Sequence, residues 1–326
     1  ASLQYGTQFG GLVNFIMKKP NKTKKMELVH RNTFGSNELY TNFTSISGSI
    51  KKFSYLSFIN FKQGDGFRPN SGFESINTYN YFKYKINNKL WLSTEFTYLN
   101  YIAQQAGGLS DQMFIEDHFQ SNRSRNWFQV NWMLYNLYIN FKASSTKTIS
   151  FNLFGLDAKR DALGFRTNRV SQVDSGDERD LIKGDFNNYG FELKYLSSYK
   201  IKSKKSNLLL GTKFYKSDNS SRQGPGSSNH DADFNFYTNK FPNYNNQSMY
   251  KYPNLNIAFF GENLFYINKK LSVTPGFRIE HIKTESIGSY KKINLDAADN
   301  VILNQTIFNN NIRKRSFILL GTGLSY

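Results

Sequence analysis

One stretch, KKLSVTPGFRIEH at 269–281, most restricts what this chain can fold into. Every second residue from Leu271 to Ile279 is apolar, whereas the residues between them are polar or glycine and include Arg278, with Glu280 just beyond. Alternation with a period of two predicts a β-strand with one apolar and one polar face. A strand that crosses a membrane within a barrel needs about 9–11 such residues, with lipid on one side and a wet lumen on the other. The stretch therefore predicts a transmembrane barrel strand.

The composition favours the same interpretation. Tyr (21) and Phe (30) are abundant although the mean hydropathy is −0.57. A water-soluble chain would bury these rings in a core, whereas a barrel spreads them over its lipid face and its interfacial girdles. No apolar run in the sequence approaches the roughly 18 residues of a membrane-spanning helix. The formal net charge of +18 invites a nucleic-acid interpretation. However, much of the lysine falls as pairs in short connections and no nucleic-acid motif is present, so no nucleic-acid partner is expected.

Twelve segments carry strand signals, and together they predict an all-β, antiparallel, up-and-down transmembrane β-barrel wall. The expected strands cover 25–34, 39–49, 53–63, 75–86, 89–101, 126–142, 147–157, 188–201, 206–217, 253–267, 269–283 and 313–326. Within 126–142 the apolar phase slips near Leu134, and a β-bulge would explain the slip. The absence of cysteine from the sequence excludes a disulfide framework and a thiolate metal site.

The connections between these segments alternate in length, and this asymmetry is the stronger signal. Short turns alternate with long connections rich in Gly, Asn, Ser and Asp, which are expected at 64–74, 102–125, 158–187, 218–252 and 284–312. An antiparallel meander places alternate turns at opposite ends, and outer-membrane barrels have short periplasmic turns and long extracellular loops. A soluble sandwich has no reason to keep every second loop short. The long connections are therefore expected outside the cell, and the first strand is expected to start in the periplasm.

Several segments resemble TonB-dependent outer-membrane transporters. The opening ASLQYGTQFGGLVNFIMKKP resembles the end of the plug domain of that family, where a Gly-rich segment and a short strand (here 12–16) lead into the first barrel strand. The segments 259–266 and 271–280 together resemble a barrel hairpin of the same family. Resemblance to the ferric-citrate receptor branch lies in three further segments, 107–111, 121–128 and 8–11.

The resemblance implies a plug domain and a barrel of 22 strands. Residues 1–20 would be the C-terminal end of the plug, and residues 21–326 would supply about twelve strands of the wall. A half barrel would leave two strand edges in hydrocarbon, at several kcal/mol per orphan backbone group. We therefore expect the sequence to be a piece of a longer chain that also carries the TonB box. A closed twelve-stranded barrel is the alternative, but it does not explain the plug-like opening.

The function implied by the resemblance is TonB-dependent import of a ferric chelate, such as ferric citrate or a similar siderophore. The expected location is the outer membrane of a Gram-negative bacterium. The implied partners are the TonB complex, reached through an N-terminal region outside this sequence, and outer-membrane lipid and lipopolysaccharide. No cofactor is expected, since Fe(III) would be cargo. An enzyme is not expected, because the sequence has no Gly-x-Ser-x-Gly elbow. Another TonB-dependent nutrient importer, for instance of a glycan, and a passive pore are the alternatives.

Arginines in the long connections are the candidate ligand-binding groups, because a ferric citrate chelate is anionic and the planar Arg fork pairs carboxylates bidentately. In a strand, Arg123 and Arg125 would point the same way. The candidate substrate-binding residues are Arg123, Arg125, Arg166, Arg169, Gln104 and Gln105. The alternative is that the arginines bridge lipopolysaccharide phosphates or pair with nearby carboxylates, namely Asp111, Glu116 and Asp117.

Two further sets of residues are assigned from the sequence. Arg278 and Glu280 share the polar face of their strand, so they are expected to form a lumenal ion-pair lattice that holds the barrel wall to the plug. The four histidines are scattered without the spacing of a metal site, so no resident metal is expected. They are His30, His118, His230 and His281.

Overall fold

A computed structural model describes residues 3–6, 12–167, 169–298 and 300–326. These residues form one antiparallel sheet in which twelve strands follow one another in chain order. The strands are β1 (Glu27–Phe34), β2 (Tyr40–Ile50), β3 (Phe53–Gly64), β4 (Phe73–Lys85), β5 (Leu90–Gln104), β6 (Trp127–Lys142), β7 (Lys147–Gly164), β8 (Asp180–Ile201), β9 (Lys204–Pro225), β10 (Ser248–Tyr266), β11 (Ser272–Leu295) and β12 (Val301–Ser325). A 3-10 turn at Leu3–Tyr5 and helix α1 (Asp111–Glu116) accompany the sheet. The all-β, up-and-down architecture predicted from the sequence is confirmed.

The sheet is open rather than closed on itself. Among the described residues β1 pairs with β2 alone and β12 pairs with β11 alone, so these two strands form the edges. The structure therefore does not support the closed twelve-stranded alternative. No helix in the described segments is both long enough and apolar enough to cross a membrane.

The two faces of β11 differ as the alternation predicts. Arg278 and Glu280 are 2% and 5% exposed and lie under the N-terminal 3-10 turn. Ile279 between them is 47% exposed, and its neighbours Phe259 and Ile318 on the adjoining strands are 46% and 65% exposed. Large apolar side chains that point away from the protein in this way are typical of the lipid face of a barrel. We call this side of the sheet the convex face and the Arg278 side the inner face.

With the exception of β10, no strand is shorter than the strand before it, and the length rises from 8 residues in β1 to 25 in β12. The expected connections at 158–187, 218–252 and 284–312 are consequently too long, because the strands extend into both ends of each of them. The observed connections are 65–72, 105–126, 165–179, 226–247 and 296–300. Beyond the expected membrane height both faces of a strand meet water, so neither face has to be apolar. The period-two signal disappears there although the ladder hydrogen bonds continue.

The segment that precedes β1 has no regular structure from residue 12 to 26, so the short strand expected at 12–16 is wrong. Phe15 and Met17 border a cavity of about 460 Å3 on the sheet. Leu134 lines the same cavity, and the β6 register runs through it without a shift, so no bulge is present there. The apolar side chain of Leu134 departs from the alternation of apolar and polar residues along β6 because it faces this cavity. The assignment of 1–20 to a plug stays a prediction, and residues 8–11 lie outside the described part of the chain.

Candidate functional site

Three connections at the predicted outer end of the sheet build the candidate site. We call them loop A (105–126, between β5 and β6), loop B (165–179, between β7 and β8) and loop C (226–247, between β9 and β10). Each begins and ends on a paired strand, so the sheet fixes the positions of its two ends. The arginines predicted to bind substrate lie in loops A and B.

Arg125 of loop A is buried and joins the three loops. Its guanidinium donates from Nε to Asp174 Oδ2 of loop B at 2.9 Å, and Nη2 donates to the other carboxylate oxygen of the same residue. Nη1 donates to the carbonyls of Asp177 in loop B and Ser228 in loop C, both at 2.9 Å. Burial on its own raises the pKa of Asp174, but the hydrogen bonds and charge of Arg125 lower that pKa below its ordinary value. The fork of Arg125 is thus occupied by protein groups.

Arg179, the last residue of loop B, is fully buried and was missed by the sequence analysis. It donates from Nε to the Ser227 carbonyl at 2.9 Å and from Nη1 to the Arg125 carbonyl at 3.0 Å. Nη1 also reaches the carbonyl of Asp231 at 2.7 Å. In the sequence Arg179 lies among acidic residues, where it resembles part of a solvated charged loop. No feature of the surrounding sequence distinguishes Arg179 from an exposed arginine.

Arg123 is likewise buried, and its guanidinium also has protein partners. Its Nη1 donates to the Asn122 carbonyl at 2.6 Å and its Nη2 to the Val170 carbonyl of loop B at 3.3 Å. The prediction that both arginines point the same way assumed a strand, but β6 begins only at Trp127. The alternative that placed these arginines on Asp111, Glu116 or Asp117 is not observed either, because the carboxylate bound by Arg125 is Asp174. Substrate contact by Arg123 and Arg125 stays a prediction, and both side chains have protein partners.

Arg166 and Arg169 occupy a different position, at an open polar pocket between loops B and C. The pocket has a volume of about 810 Å3 and is lined by Arg166, Thr167, Arg169, Ser171, Gln172 and Asn246. The Arg166 side chain is 51% exposed, and its Nη1 lies 3.7 Å from Asp180 Oδ2. Among the described residues, Arg169 forms no ion pair and its side chain is exposed. The pocket therefore presents two cationic forks to solvent within a rim of neutral hydrogen-bonding groups.

A buried carboxylate supports one side of this pocket. Asp180, the first residue of β8, accepts hydrogen bonds from Gln223 Nε2 at 2.9 and 3.0 Å and from the Tyr244 hydroxyl at 3.0 Å. Burial and the adjacent carboxylate of Asp180 raise the pKa of Tyr244, so its hydroxyl stays protonated and keeps donating. Asp180 is thereby held in one orientation, and so is the weak ion pair that it makes with Arg166.

The two glutamines diverge. Gln105 borders a second pocket of about 410 Å3 that Arg166 also lines, so the structure brings these two residues to one place. Gln104 is the last residue of β5, where its backbone N–H donates to the Gly72 carbonyl at 2.8 Å. Its side chain lines neither of these two pockets among the described residues. Ligand contact by either glutamine stays a prediction.

Arg278 and Glu280 lie far along the wall, on the inner face of β11. Arg278 Nε donates to Glu280 Oε2 at 2.6 Å, and Arg278 Nη1 donates to the carbonyls of Leu3 and Gln4 at 3.2 and 3.3 Å. The Leu3 N–H in turn donates to a carboxylate oxygen of Glu262 on β10. The wall therefore binds the N-terminal turn through one cationic side chain, Arg278, and one anionic side chain, Glu262. This is the geometry that a structural ion-pair lattice requires, and the role itself stays a prediction.

Within residues 3–6, 12–167, 169–298 and 300–326, no group of three or more His, Asp or Glu residues could hold a metal ion. His30 and His281 hydrogen-bond to Thr44 and Ser316, both at 2.8 Å. His118 instead packs among aromatic rings of loop A, with its centroid 4.2 Å from that of Phe119 in a tilted arrangement. Each of these three imidazoles therefore has contacts of its own, at a separate place in the structure.

Comparison with solved structures gives matches to transporters and import receptors for metals and ferric chelates. The unliganded ferric citrate transporter FecA matches with a TM-score of 0.69 at 15% identity, over 92% of this chain and 40% of that one. The open form of the ferric-catecholate import receptor Fiu from E. coli K12 matches with a TM-score of 0.71 at 10% identity, over 94% and 53% of the two chains. The copper transporter OprC matches with a TM-score of 0.65 at 12% identity, over 94% and 45%.

The chain has the barrel fold of TonB-dependent receptors. The family resemblance read from the sequence is thus confirmed at the level of the fold. The chain spans about half the length, or less, of these solved structures. No family model and no curated protein matches the sequence.

Proposed function

We propose that this chain is part of the wall of a TonB-dependent importer that takes a ferric chelate across the outer membrane of a Gram-negative bacterium. The observation that carries the proposal is the polar pocket between loops B and C, with the guanidinium groups of Arg166 and Arg169 open to solvent. Fe(III) is the cargo in this proposal, so no resident cofactor is required and the protein is not an enzyme. The solved structures with this fold include a ferric citrate transporter and a ferric-catecholate import receptor, which supports the same substrate class.

The pocket fits a polycarboxylate better than a sugar. Two exposed guanidinium groups can each bind a carboxylate with two parallel hydrogen bonds, and Gln172 and Asn246 can bind the remaining oxygens. Sugar recognition would be favoured by flat aromatic side chains that stack on the rings. None of the described residues lining this pocket is aromatic. We therefore prefer ferric citrate or a related anionic chelate to a glycan.

The N-terminal segment favours gated import over a passive pore. Its 3-10 turn is hydrogen-bonded to Arg278 on the inner face of the wall, and Phe15 and Met17 lie against the same sheet. A pore would keep this space open for diffusion. In the proposed mechanism the ligand binds at loops B and C, and the plug, of which residues 1–20 would be the end, moves under force from the TonB complex. The TonB complex would reach the protein through a more N-terminal region.

The test is ligand binding by the full-length protein in detergent, measured by titration calorimetry with ferric citrate. The double variant Arg166→Gln/Arg169→Gln should bind at least about 100-fold more weakly, because hydrogen bonds to charged groups contribute about 1.5–3 kcal/mol each and the variant removes two charged groups. Lys240→Gln, which removes an exposed cation from loop C outside the pocket lining, is the matched control and should bind like the parent protein.

Two outcomes would reject parts of the proposal. Equal affinity of the double variant and the parent protein would remove the pocket as the ligand site. Binding of a neutral maltooligosaccharide, with no heat from ferric citrate, would favour the glycan importer instead. Weaker binding at high salt is expected in addition, since the pocket is open and its charges are screened.

A further inference from the structure

We propose that the inner face of the wall binds a quaternary ammonium ion with an apolar body. The site is the cavity of about 460 Å3 between the sheet and the segment that precedes β1, and we call it the aromatic cavity. Phe15 and Met17 form one side of it, and residues of β4 to β9 form the other. Neither edge strand, β1 or β12, contributes to its lining. The proposal is independent of the ferric chelate and of the pocket between loops B and C.

The strand register gives the sheet side of the aromatic cavity an apolar surface. Cross-strand partners line it in two rows: Tyr79, Thr97, Leu134, Leu156 and Asn188 form one, and Glu95, Asn136 and Phe154 form the other. A series of such partners connects Glu280 to Ser93, two residues before Glu95, so both rows lie on the inner face. The inner face of a transmembrane barrel is typically polar. Leu134 is nevertheless 39% exposed there, and Phe15 on the opposite side of the cavity is 82% exposed.

One carboxylate borders this apolar surface. Glu95 is the one charged residue among the described residues that line the cavity. It accepts a hydrogen bond from the Tyr79 hydroxyl, and Lys19 is the cation whose charge acts on it at longer range. Within the described segments Glu95 forms no ion pair. A carboxylate beside an apolar surface loses hydration, and a cation placed next to it offsets this loss. The cavity therefore selects for positive charge.

Aromatic rings surround the same space. Phe15, Tyr79, Phe154 and Tyr215 all line the cavity. The Phe154 ring lies against the wall at Gly190, where a Cβ atom would come within 2.8 Å of the ring. A cation within about 6 Å of a ring centroid is attracted to the face of the ring. Ring faces next to a carboxylate are therefore suited to a quaternary ammonium group.

Elsewhere on the inner face the protein supplies such cations itself. Lys83 Nζ lies 3.6 Å from the centroid of the Trp91 ring. Within the cavity, Lys213 Nζ lies 5.8 Å from the centroid of Phe154, which is near the limit of the interaction. No cation of the described chain lies over the other three rings. Those rings are available to a cation from outside the chain.

A quaternary ammonium ion fits this lining better than a protonated amine. An ammonium group that carries hydrogen atoms is strongly hydrated and needs acceptors for its donors. A quaternary ion has no such donors, and its alkyl groups can contact Leu134 and Leu156 while its charge faces Glu95. The volume of about 460 Å3 is in the range of sites for small organic molecules. Glu95 would repel an anion, and a neutral molecule would leave this carboxylate without a cation.

The experiment measures binding of benzyltrimethylammonium to the full-length protein in detergent, by equilibrium dialysis with empty micelles as the blank. Saturable binding is expected, with a Kd of about 1 mM or lower for a ligand of this size. Benzyl alcohol has the ring without the charge and should bind about 10-fold more weakly. Phenylacetate, which carries the opposite charge, should show no saturable binding.

Two variants test the carboxylate and the rings separately. Glu95→Gln keeps the shape of the side chain and should weaken benzyltrimethylammonium binding about 10-fold, with the affinity for benzyl alcohol unchanged. Phe15→Ala removes a ring from a segment without regular structure and should weaken the binding of both molecules, about 5-fold. Glu74→Gln is the matched control, because it removes an exposed carboxylate of β4 outside the lining, and it should bind like the parent protein.

The outcomes separate this inference from the proposed function. Equal affinity of Glu95→Gln and the parent protein for the cation would overturn it, as would equal affinity of the parent protein for the cation and benzyl alcohol. Absence of saturable binding to the parent protein would overturn it as well. Should Glu95→Gln lose its β-type circular dichroism, Phe15→Ala decides, and unchanged binding by that variant would reject the cavity. Failure of the parent protein to bind ferric citrate would instead reject the proposed function and leave the aromatic cavity standing.

Discussion

Two groups of arginines in loops A and B have opposite environments. Arg125 and Arg179 are 3% and 0% exposed, and each donates to carbonyls of more than one loop. Arg166 is half exposed and Arg169 is exposed at the polar pocket. The buried pair connects loops A, B and C, and the exposed pair can accept a ligand. The comparison teaches that an arginine in a loop is a candidate ligand contact only if the protein has not already occupied its fork.

The buried arginines stabilise the loop that carries the two exposed arginines. Loop B carries Arg166 and Arg169 near its start and Asp174 and Arg179 in its second half. Contacts of Asp174 with loop A and of Arg179 with loop C fix the second half, and Asp180 then fixes the position next to Arg166. A site on a loop needs such support to keep its geometry within the tolerance of ligand binding. We infer that the buried arginines affect affinity through loop order and the exposed ones through contact.

The largest effect is expected from Arg179→Met, which keeps bulk but removes the charge and every hydrogen bond. The carbonyls of the buried residues Ser227 and Arg125 would lose their donor, as would the carbonyl of the exposed Asp231, at a cost of about 3 kcal/mol or more. Amide hydrogen exchange in loops B and C should accelerate by about 100-fold, with little change in β2 to β5. Lys240→Met, at an exposed position of loop C, is the control and should alter exchange by less than threefold. Equal protection in the Arg179 variant would contradict the division into two groups.

A smaller effect, of about tenfold, is expected from Arg169→Lys on ferric citrate affinity. The substitution keeps the charge but loses the planar fork, so it separates bidentate binding from simple attraction. Arg125→Lys is the comparison variant. It should change amide hydrogen exchange in the loops more than it changes the positive charge at the pocket. An Arg169→Lys protein with parent affinity would show that the pocket uses only its positive potential.

The smallest effect concerns pH. The pKa of Asp174 is lowered in the folded loops, so its contact with Arg125 contributes stability above the unfolded value of about 3.9. That contribution is lost as the pH falls through the lowered folded value. Protease cleavage of loop B should therefore be constant between about pH 5 and pH 8 and should rise only in strong acid. Asp174→Asn should show raised cleavage already at neutral pH. A cleavage rate that rises between pH 7 and pH 5 would show that another group controls loop order.

The first six strands and the last six strands differ in how well the sequence predicts their ends. From β1 to β6 the expected and observed strand ends agree within a few residues, because the alternation of apolar and polar residues runs along nearly the whole of each strand. From β7 to β12 the strands continue well past the expected ends, as in β11, which reaches Leu295 instead of 283. These extensions lack the period-two alternation, so only the ladder hydrogen bonds mark them as strands. Hydrogen-bonded pairing with a neighbour is a nonlocal property that a single segment does not encode.

The sequence by itself determined the number of strands, their antiparallel order and the apolar side of β11, because a strand with one apolar and one polar face alternates with a period of two over at least part of its length. The tertiary structure alone decided which arginines are available to a ligand. Arg125 and Arg166 have the same side chain in similar polar surroundings in the sequence. They differ because Asp174, Asp177 and Ser228, 49 to 103 residues away along the chain, fold around the first. Partners brought together by loop closure are invisible to local patterns, and they set the chemistry of the site.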